Sequence, residues 1–394
     1  MRIALVYDAL VPWVNGGAER RYNELARHLS ADHEVTHVSW TWWDGPSRMV
    51  RNGVSYVGVG RPPALYGDDG KRTVREAAAF AARLVPTLIR GSWDVIDCSA
   101  TPYLPLYAAW AATRVTGTPL VATWHEFWGS HWGEYLPHRR LISGVARALE
   151  AGARPLSDAV VAVSPFTLRR MGAEPSARNR VVPNGVDIPV AAARGNGDAA
   201  MHADRPFDVV YVGRLIDEKR LDLLIEAIAE LRDAHRPMSA VIAGDGPALR
   251  DLEAQARRLG VQGLVRFCGR ITDDERSALL GQSRLYVLPS IREGFGIGVL
   301  EAFAVGAVPI VVAGPHTAAP DLVRDGVDGL VVDGSPSSIA AAIRSLADDP
   351  RRQDAMRRAG AATADRHGWD RIAAEMADLY ALLATRRLRA VRTA

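Results

Sequence analysis

The segment Pro289-Ser290-Ile291-Arg292-Glu293-Gly294-Phe295-Gly296-Ile297-Gly298-Val299-Leu300-Glu301-Ala302-Phe303 carries the strongest signal in the sequence. It follows the short apolar run 285–288, which is typical of a buried strand, and it continues with a helical composition. Its glycines let the backbone approach a ligand closely. A helix that begins near Gly296 points free N–H groups and its positive dipole end at that ligand, which suits a diphosphate. The segment therefore predicts a strand–turn–helix unit with an anion site.

Two glutamates of this segment are candidate ligand contacts. Glu293 falls in the predicted turn and Glu301 on the second turn of the helix, so the two side chains can reach different hydroxyls of one ligand. The alternative is that Glu293 is a helix N-cap acid and Glu301 an ordinary surface residue. We favour the ligand hypothesis because the glycine pattern and the preceding strand agree with it.

Outward from this segment, short β-branched runs alternate with amphipathic stretches, which is typical of parallel βαβ units. The first series of predicted strands covers residues 2–8, 35–40, 54–57, 94–98, 120–123, 159–163 and 180–182. The second series covers residues 208–212, 239–243, 265–268, 285–288, 310–312 and 329–332. Residues 188–204 are rich in Ala and Gly without apolar periodicity, so they form the predicted linker. The sequence thus predicts an α/β protein with domains at 1–187 and 205–369, two doubly wound sheets facing across a cleft.

Length and composition exclude several classes of protein. At 394 residues two domains are expected, and 24% charged residues with 48% hydrophobic ones argue against disorder. No apolar run is long enough to span a bilayer, and residues 1–7 are too short for a signal-peptide core. Cys98 and Cys268 lie far apart in apolar segments. We expect buried free thiols and therefore a cytoplasmic protein.

Charge is unevenly distributed along the chain. Residues 1–187 carry 21 basic against 17 acidic side chains, and the last nine residues are basic, with no acid. Together with the arginine-rich stretch 71–90, this fits peripheral contact with the anionic inner membrane surface, or equally an ordinary crossover helix and a solvated helix end. No basic stripe interleaved with aromatic residues is present, so nucleic acid is not expected as a partner.

A second cationic motif follows the first strand of the second series. In Gly213-Arg214-Leu215-Ile216-Asp217-Glu218-Lys219, Arg214 offers a planar fork for phosphate oxygens, and Lys219, expected on the first turn of the next helix, offers a point charge. The sequence contains no Asp-x-Asp triplet to hold a diphosphate-bound cation. We therefore expect no metal and no other cofactor.

These motifs together resemble the family 4 retaining glycosyltransferases of GT-B fold. The resemblance rests on Gly213-Arg214-x4-Lys219, Gly244-Asp245-Gly246-Pro247, the Glu293-x7-Glu301 segment, Pro183-Asn184-Gly185-Val186-Asp187 and Gly16-Gly17-Ala18-Glu19. It implies that Arg214, Lys219 and Gly244 lie around the donor diphosphate, with Glu301 on the ribose. It also implies that Glu293 and the backbone of Phe295, Gly296 and Ile297 hold the transferred sugar, and that Gly294 belongs to the same donor-binding segment. The final helix, about 370–394, is expected to cross back to the first domain.

The first domain adds further candidates under the same resemblance. Gly16 and Gly17 would form a loop that approaches the donor. His125, after the strand 120–123, matches the family's active-site histidine, and it would bond a sugar hydroxyl or stabilise charge near the anomeric carbon. Trp124, Glu126 and Trp128 are candidate acceptor contacts, Glu126 as an acceptor-side base; the alternative for the tryptophans is that they are core residues.

The resemblance implies transfer of a hexose-type sugar from a UDP- or GDP-sugar to an acceptor hydroxyl, with retention and an α-linkage. The predicted catalytic residues are His125, Glu293, Arg214 and Lys219, and the acceptor is a sugar, a lipid-linked glycan or a small molecule. The alternatives are an epimerase or hydrolase of the same fold, or a non-catalytic sugar-nucleotide-binding subunit. One departure is His316-Thr317-Ala318-Ala319-Pro320-Asp321, where the family usually has Gly-Gly before Pro-Glu; His316 is interpreted as a donor contact or as a loop residue.

Overall fold

The chain forms two compact units. The computed structural model describes residues 1–14, 16–65, 72–135, 140–187 and 205–393, with side chains except those of 134, 135 and 388–393. The predicted linker, 188–204, lies outside the described residues. One unit consists of Met1–Asn184 with Trp369–Ala394, and the other of Gly185–Gly368.

The first unit is built on a single sheet. Its strands are β1 (Arg2–Val6), β2 (Glu34–Ser39), β3 (Arg48–Arg51), β4 (Val54–Gly58), β5 (Val95–Ser99), β6 (Leu120–Trp124), β7 (Ala159–Ala162) and β8 (Asn179–Val181). They are ordered β3-β4-β2-β1-β5-β6-β7-β8, and only β3 pairs antiparallel. The central strands are almost wholly buried because helices cover both faces, which explains their continuous apolar runs.

Strand β3 is missing from the sequence prediction. Its residues Arg48-Met49-Val50-Arg51 are mostly exposed at the sheet edge, so they lack a buried apolar pattern. The turn to β4 uses Asn52 and Gly53 with φ of 52° and 79°, the left-handed values of a tight hairpin. The Asn-Gly pair was therefore the available signal for this strand.

Helices cover both faces of this sheet. They are α1 (Gly17–Leu29), α2 (Val74–Arg90), α3 (Tyr103–Thr116), α4 (Trp132–Tyr135), α5 (Arg140–Ala153), α6 (Pro165–Arg170) and the last helix, numbered α13 (Trp369–Thr393). Helices α1 and α13 contribute Tyr22, Leu25 and Met376 to one core. Helices α2 and α3 contribute Phe80 and Leu106 to the core on the other face. The predicted return of the C-terminal helix to the N-terminal domain is confirmed.

The second unit has a smaller, fully parallel sheet. Its strands are β9 (Phe207–Val212), β10 (Ala240–Ala243), β11 (Val265–Gly269), β12 (Ser283–Leu288), β14 (Val308–Val312) and β16 (Leu330–Val332), beside a short pair, β13 (Arg292–Glu293) and β15 (His316–Thr317). The helices are α7 (Leu221–Asp233), α8 (Leu249–Arg258), α9 (Asp273–Gly281), α10 (Ile297–Val305), α11 (Pro336–Ala347) and α12 (Pro350–Asp365).

The strand order of this sheet, β11-β10-β9-β12-β14-β16, places a topological switch point between β9 and β12. From β9 the chain winds towards β11, and from β12 it winds the other way. The loops after these two strands diverge there and leave a crevice at the carboxyl edge of the sheet. Gly213 follows β9 and Pro289 follows β12, so both predicted donor motifs begin at the switch point.

Two further predictions concern exposure and membranes. Among the described residues, no helix combines the length and apolar character required to cross a bilayer. Cys98 is buried as expected, but Cys268 is only half-buried, because the end of β11 at the sheet edge is partly exposed. The prediction of burial is therefore wrong for Cys268.

Candidate functional site

The two predicted donor motifs of the second unit meet in the structure. The backbone N–H of Ile291 donates to the carbonyl oxygen of Glu218 at 3.1 Å, which joins the loop after β12 to the loop after β9. Beside this bond, the ammonium of Lys219 forms an ion pair with the carboxylate of Glu293. The side chains of Lys219 and Glu293 are 16% and 15% exposed, so this pair lies in a largely desolvated crevice.

The environment of Lys219 differs from the prediction. Lys219 ends a 3-10 turn, Asp217–Lys219, and α7 begins only at Leu221. Arg220, between the two elements, has φ 48°, a left-handed value that prevents one continuous helix from running through the turn into α7. Lys219 is therefore not on the first turn of α7. The break directs its side chain towards Glu293.

Arg214 occupies the exposed part of the same loop. The backbone of this loop is held in place, because the hydroxyl of Tyr211 donates a hydrogen bond to the carbonyl oxygen of Arg214 at 3.1 Å. The Arg214 side chain itself is exposed. Its guanidinium is thus carried on a fixed backbone and is accessible to an anion.

The glycines of the site have two physical roles. A Cβ on Gly244, at φ 141°, would lie 1.8 Å from the carbonyl oxygen of Gly213, so this glycine permits two loops to touch. Gly296 is the N-cap of α10 at φ 94°, without a side-chain cap. No capping side chain therefore competes with an external acceptor for the first N–H groups of α10.

Glu293 is not a helix cap, since Gly296 takes that position. It lies in β13, whose residues Arg292 and Glu293 pair with His316 and Thr317 of β15. The N–H of Ala318 donates to the carbonyl oxygen of Glu293 at 2.8 Å. The segment that departs from the family pattern thus forms the strand that positions Glu293, and His316 is not a loop residue.

The sequence did not identify a partner for Glu301. The Glu301 carboxylate lies 3.4 Å from Nε of Arg276, a residue of α9 whose side chain is 17% exposed. Arg276 also pairs with Asp273 at 2.8 Å. No motif links Arg276 to Glu301, because the contact arises from the packing of α9 on α10.

Phe295 and its neighbours lie between Glu293 and Glu301 along the chain. The Phe295 side chain is buried, while Ile297 is half-buried at the start of α10. Phe295 can therefore offer a ligand its backbone and not its ring.

In the first unit, His125 follows β6 and lies between two tyrosines. Ring centroids are 6.3 Å from Tyr7 and 6.0 Å from Tyr22. The residue is partly exposed, yet Nε2 is buried with no hydrogen-bond partner among the described residues. Burial, assisted by the nearby Arg21 charge, lowers the pKa of His125 to about 3. The imidazole is therefore neutral at physiological pH and suits a hydroxyl partner better than a role as a cation.

A buried polar network supports this region. Asp97 on β5 accepts hydrogen bonds from Tyr22, Thr123 and Tyr380 at 2.9, 2.8 and 2.5 Å. Burial nonetheless raises the pKa of Asp97. The network joins α1, β5, β6 and α13, and it fixes the strand that carries His125.

The glycine pair before α1 is divided between two roles. A Cβ on Gly16 would lie 2.4 Å from a carboxylate oxygen of Glu19, whereas a Cβ on Gly17 would meet nothing within 4 Å. A side chain at position 16 would therefore collide with Glu19, whereas a side chain at position 17 would meet no neighbour.

The three predicted acceptor contacts separate by burial. Trp124 is completely buried, with ring contacts to Tyr103 and Phe127, so it is a core residue and the prediction of an acceptor contact is wrong. Trp128 is half-buried and stacks on Trp132 with centroids 4.6 Å apart. Glu126 is half-buried. Trp124 is buried because it lies in the core cluster on the face of the sheet that α2 and α3 cover.

Comparison with known proteins finds relatives for both halves of the chain. A family model described as glycosyl transferases group 1 matches residues 199–363, and one described as Glycosyltransferase Family 4 matches residues 15–189. The chain is 37% identical over 239 residues to a GDP-mannose-dependent alpha-(1-6)-phosphatidylinositol monomannoside mannosyltransferase of Mycolicibacterium smegmatis, a match that covers 57% of this chain and 62% of that protein. It is 29% identical to the glycogen synthase of Mycobacterium tuberculosis, over 96% of this chain and 94% of that protein.

Solved structures share the fold. The sucrose-phosphate synthase of Thermosynechococcus elongatus superimposes with a TM-score of 0.79 at 20% identity, over 97% of this chain and 98% of the other. HepE of Anabaena, solved with UDP and glucose, has a TM-score of 0.71 at 21% identity, over 96% and 98% of the two chains. The GT-B fold class predicted from the sequence is confirmed.

Proposed function

The chain belongs to the family 4 glycosyltransferases, and on that premise we propose that it is a retaining enzyme that moves a hexose-type sugar from a UDP- or GDP-sugar to an acceptor hydroxyl. The observation that carries this proposal is the convergence of Lys219 and Glu293 at the switch point of the second unit. A cation and a carboxylate in one desolvated crevice suit a ligand that joins a diphosphate to a polyhydroxylated ring.

Each side chain has a role in this proposal. The Arg214 guanidinium, the Lys219 ammonium and the free N–H groups of α10 stabilise the diphosphate as negative charge develops on it. Glu293 accepts hydrogen bonds from the transferred sugar. Glu301, held by Arg276, accepts hydrogen bonds from the ribose.

The transfer step needs no enzymic nucleophile. The bond between the anomeric carbon and the diphosphate oxygen breaks while the acceptor oxygen attacks the same face, through an oxocarbenium-like state. The departing diphosphate oxygen takes the acceptor's proton. The second carboxylate that retaining hydrolases require is thereby replaced by the leaving group. Neutral His125 donates or accepts a hydrogen bond at a sugar hydroxyl.

We also propose that the reaction needs no metal ion. The support is the set of cationic groups named above, together with the absence of an Asp-x-Asp triplet from the sequence. Excess chelator should leave the transfer rate unchanged. A rate that chelator abolishes and Mg²⁺ or Mn²⁺ restores contradicts this part of the proposal.

The acceptor is proposed to be a sugar, a lipid-linked glycan or a small molecule, met in the cytoplasm or at the inner membrane surface. The free buried thiol of Cys98 agrees with a reducing compartment. The matched mannosyltransferase is named for a phosphatidylinositol acceptor, which supports a lipid acceptor and peripheral membrane contact.

Thermal unfolding with UDP, GDP, UDP-glucose, GDP-mannose and NAD tests the donor class. A ligand that binds only the folded state raises Tm by mass action. We expect one nucleotide family to raise Tm, Glu301→Ala to reduce that shift, and Glu253→Ala, a glutamate of α8 outside the site, to leave it intact. A shift with NAD alone, or with no sugar nucleotide, contradicts the proposal.

His125→Ala distinguishes the transferase from its alternatives. We expect the variant to keep nucleotide binding and to lose transfer to acceptor. In the wild-type protein, release of nucleotide without acceptor indicates a hydrolase, and an isomerised donor indicates an epimerase. The anomeric configuration of the product, read by NMR, decides between retention and inversion.

A further inference from the structure

Three helices of the first unit form one layer on one face of its sheet. Helices α2, α3 and α5 place Phe80, Leu84, Leu106 and Ala153 in the same core cluster. Helix α3 contacts both α2 and α5. Their outward sides therefore belong to one surface, which we call the α2–α3–α5 surface.

Large apolar side chains are concentrated on this surface. Among the described residues, the following members of the three helices are exposed: Val74, Ile89, Trp110, Val115, Leu141, Ile142 and Val145. Leu141 is 82% exposed and Val115 70%. Helices α1 and α13, on the opposite face of the sheet, contribute no exposed large apolar residue within the described chain.

Helix α5 shows the feature most clearly. Its fully buried residues are Ser143, Glu150 and Ala153, and Leu149 is half-buried against the core, while Leu141 and Val145 face outward. A helix that faced only water would place its polar residues outside and its aliphatic ones inside. The inversion indicates that the outer side of α5 faces something less polar than water.

The exposed charge of this surface has one sign. The acids of the three helices are Glu76 and Glu150, and both are buried and hydrogen-bonded. The exposed arginines are Arg75, Arg83, Arg90, Arg114, Arg140 and Arg147. Helix α13 on the other face, by contrast, exposes Asp370, Glu375 and Asp378. The α2–α3–α5 surface therefore combines exposed apolar side chains with exposed charged side chains that are all positive.

We propose that the α2–α3–α5 surface docks the protein on a bilayer rich in anionic phospholipid. Aliphatic side chains and a tryptophan enter the boundary between headgroups and acyl chains, while the arginines bind lipid phosphates. A second copy of this chain fits less well, because two all-positive surfaces repel each other. The inference specifies the membrane contact of the proposed function and does not depend on the sugar-transfer chemistry.

Vesicle flotation tests the docking surface. We expect the wild type to float with vesicles of equal parts phosphatidylcholine and phosphatidylglycerol, and to bind phosphatidylcholine alone much more weakly. Arg140→Gln/Arg147→Gln should lower the partition coefficient roughly 30-fold, which corresponds to ~1 kcal/mol for each arginine. Leu141→Ser/Ile142→Ser should lower it at least about tenfold through lost apolar burial. The control Arg250→Gln/Arg258→Gln removes the same charge from α8 and should leave binding unchanged.

Three results overturn the docking proposal. The first is a wild type that does not bind anionic vesicles. The second is an equal loss of binding in the α8 control. The third is self-association in sedimentation that Leu141→Ser/Ile142→Ser abolishes, since it identifies a second copy as the partner. Cooperative thermal unfolding near the wild-type Tm, measured on every variant without ligand, shows that each is folded. Failure of the nucleotide shift with intact vesicle binding counts against the transferase and not against docking.

Discussion

The ion pair between Lys219 and Glu293 leads to the most detailed prediction. Breaking a fully buried pair by removing one partner costs roughly 3–5 kcal/mol, whereas an exposed pair is worth about 0–1 kcal/mol. With side chains 16% and 15% exposed, this pair lies between those limits. We expect Lys219→Met or Glu293→Gln alone to cost ~2 kcal/mol, or about 4–8 °C in Tm for a unit of this size. The double variant should cost clearly less than the sum, because it leaves no unpaired charge.

Ligand binding should separate the two members of the pair. Lys219→Met removes a charge-assisted contact worth about 1.5–3 kcal/mol, so nucleoside diphosphate affinity should fall roughly 10- to 150-fold. Glu293→Gln should not weaken the affinity for the plain nucleotide and should raise it, because the proposed partner of Glu293 is the sugar and Lys219 loses its internal partner. It should, however, remove the extra affinity of the nucleotide sugar over the nucleotide.

Calorimetric titration with UDP and UDP-glucose, or with GDP and GDP-mannose, measures both effects, and thermal unfolding measures the stabilities. Equal loss of plain-nucleotide affinity in both variants would refute the assignment of separate roles. Strictly additive losses of stability would refute the coupling of Lys219 and Glu293. Glu253→Gln on α8 serves as the control for a change of glutamate elsewhere in the same unit.

Three further predictions concern the fold that supports the sites. Burial and the neighbouring Asp8 raise the pKa of Glu76 from 4.5 to about 7. The stabilising effect of the protonated Glu76 is therefore complete below pH 4.5 and is lost as pH rises through about 7. The free energy of unfolding of the wild type relative to Glu76→Gln should fall by ~3 kcal/mol over that interval. Equal pH profiles in urea titrations contradict this. Tyr380→Phe removes the donor to Asp97 and should destabilise the first unit by about 1.5–3 kcal/mol, measured by chemical denaturation; no loss would show that the other donors suffice. Gly244→Ala should lower Tm and weaken nucleotide binding together, because its Cβ would strike the Gly213 carbonyl, and an unchanged Tm contradicts that account.

The sequence determined the fold class and most of the element order. Each predicted strand of the central sheets lies within two residues of an observed one, because strands covered on both faces need continuous apolar runs that stand out from helical periodicity. Edge strand β3 was not predicted, because its exposed residues carry no such pattern. The motifs at Gly213 and Pro289 were identified for a similar local reason: glycine spacing and strand ends are visible in the chain itself.

Only the tertiary structure decided which of these residues touch. The sequence placed Lys219 on a diphosphate and Glu293 on a sugar, and the fold pairs them with each other across the switch point. The fold also places Arg276 beside Glu301, and it buries Trp124, which was predicted to contact the acceptor. Pairings between distant segments, and the side of a sheet on which a strand's last residue falls, depend on helix packing and on strand register. Neither is encoded within a short stretch of sequence.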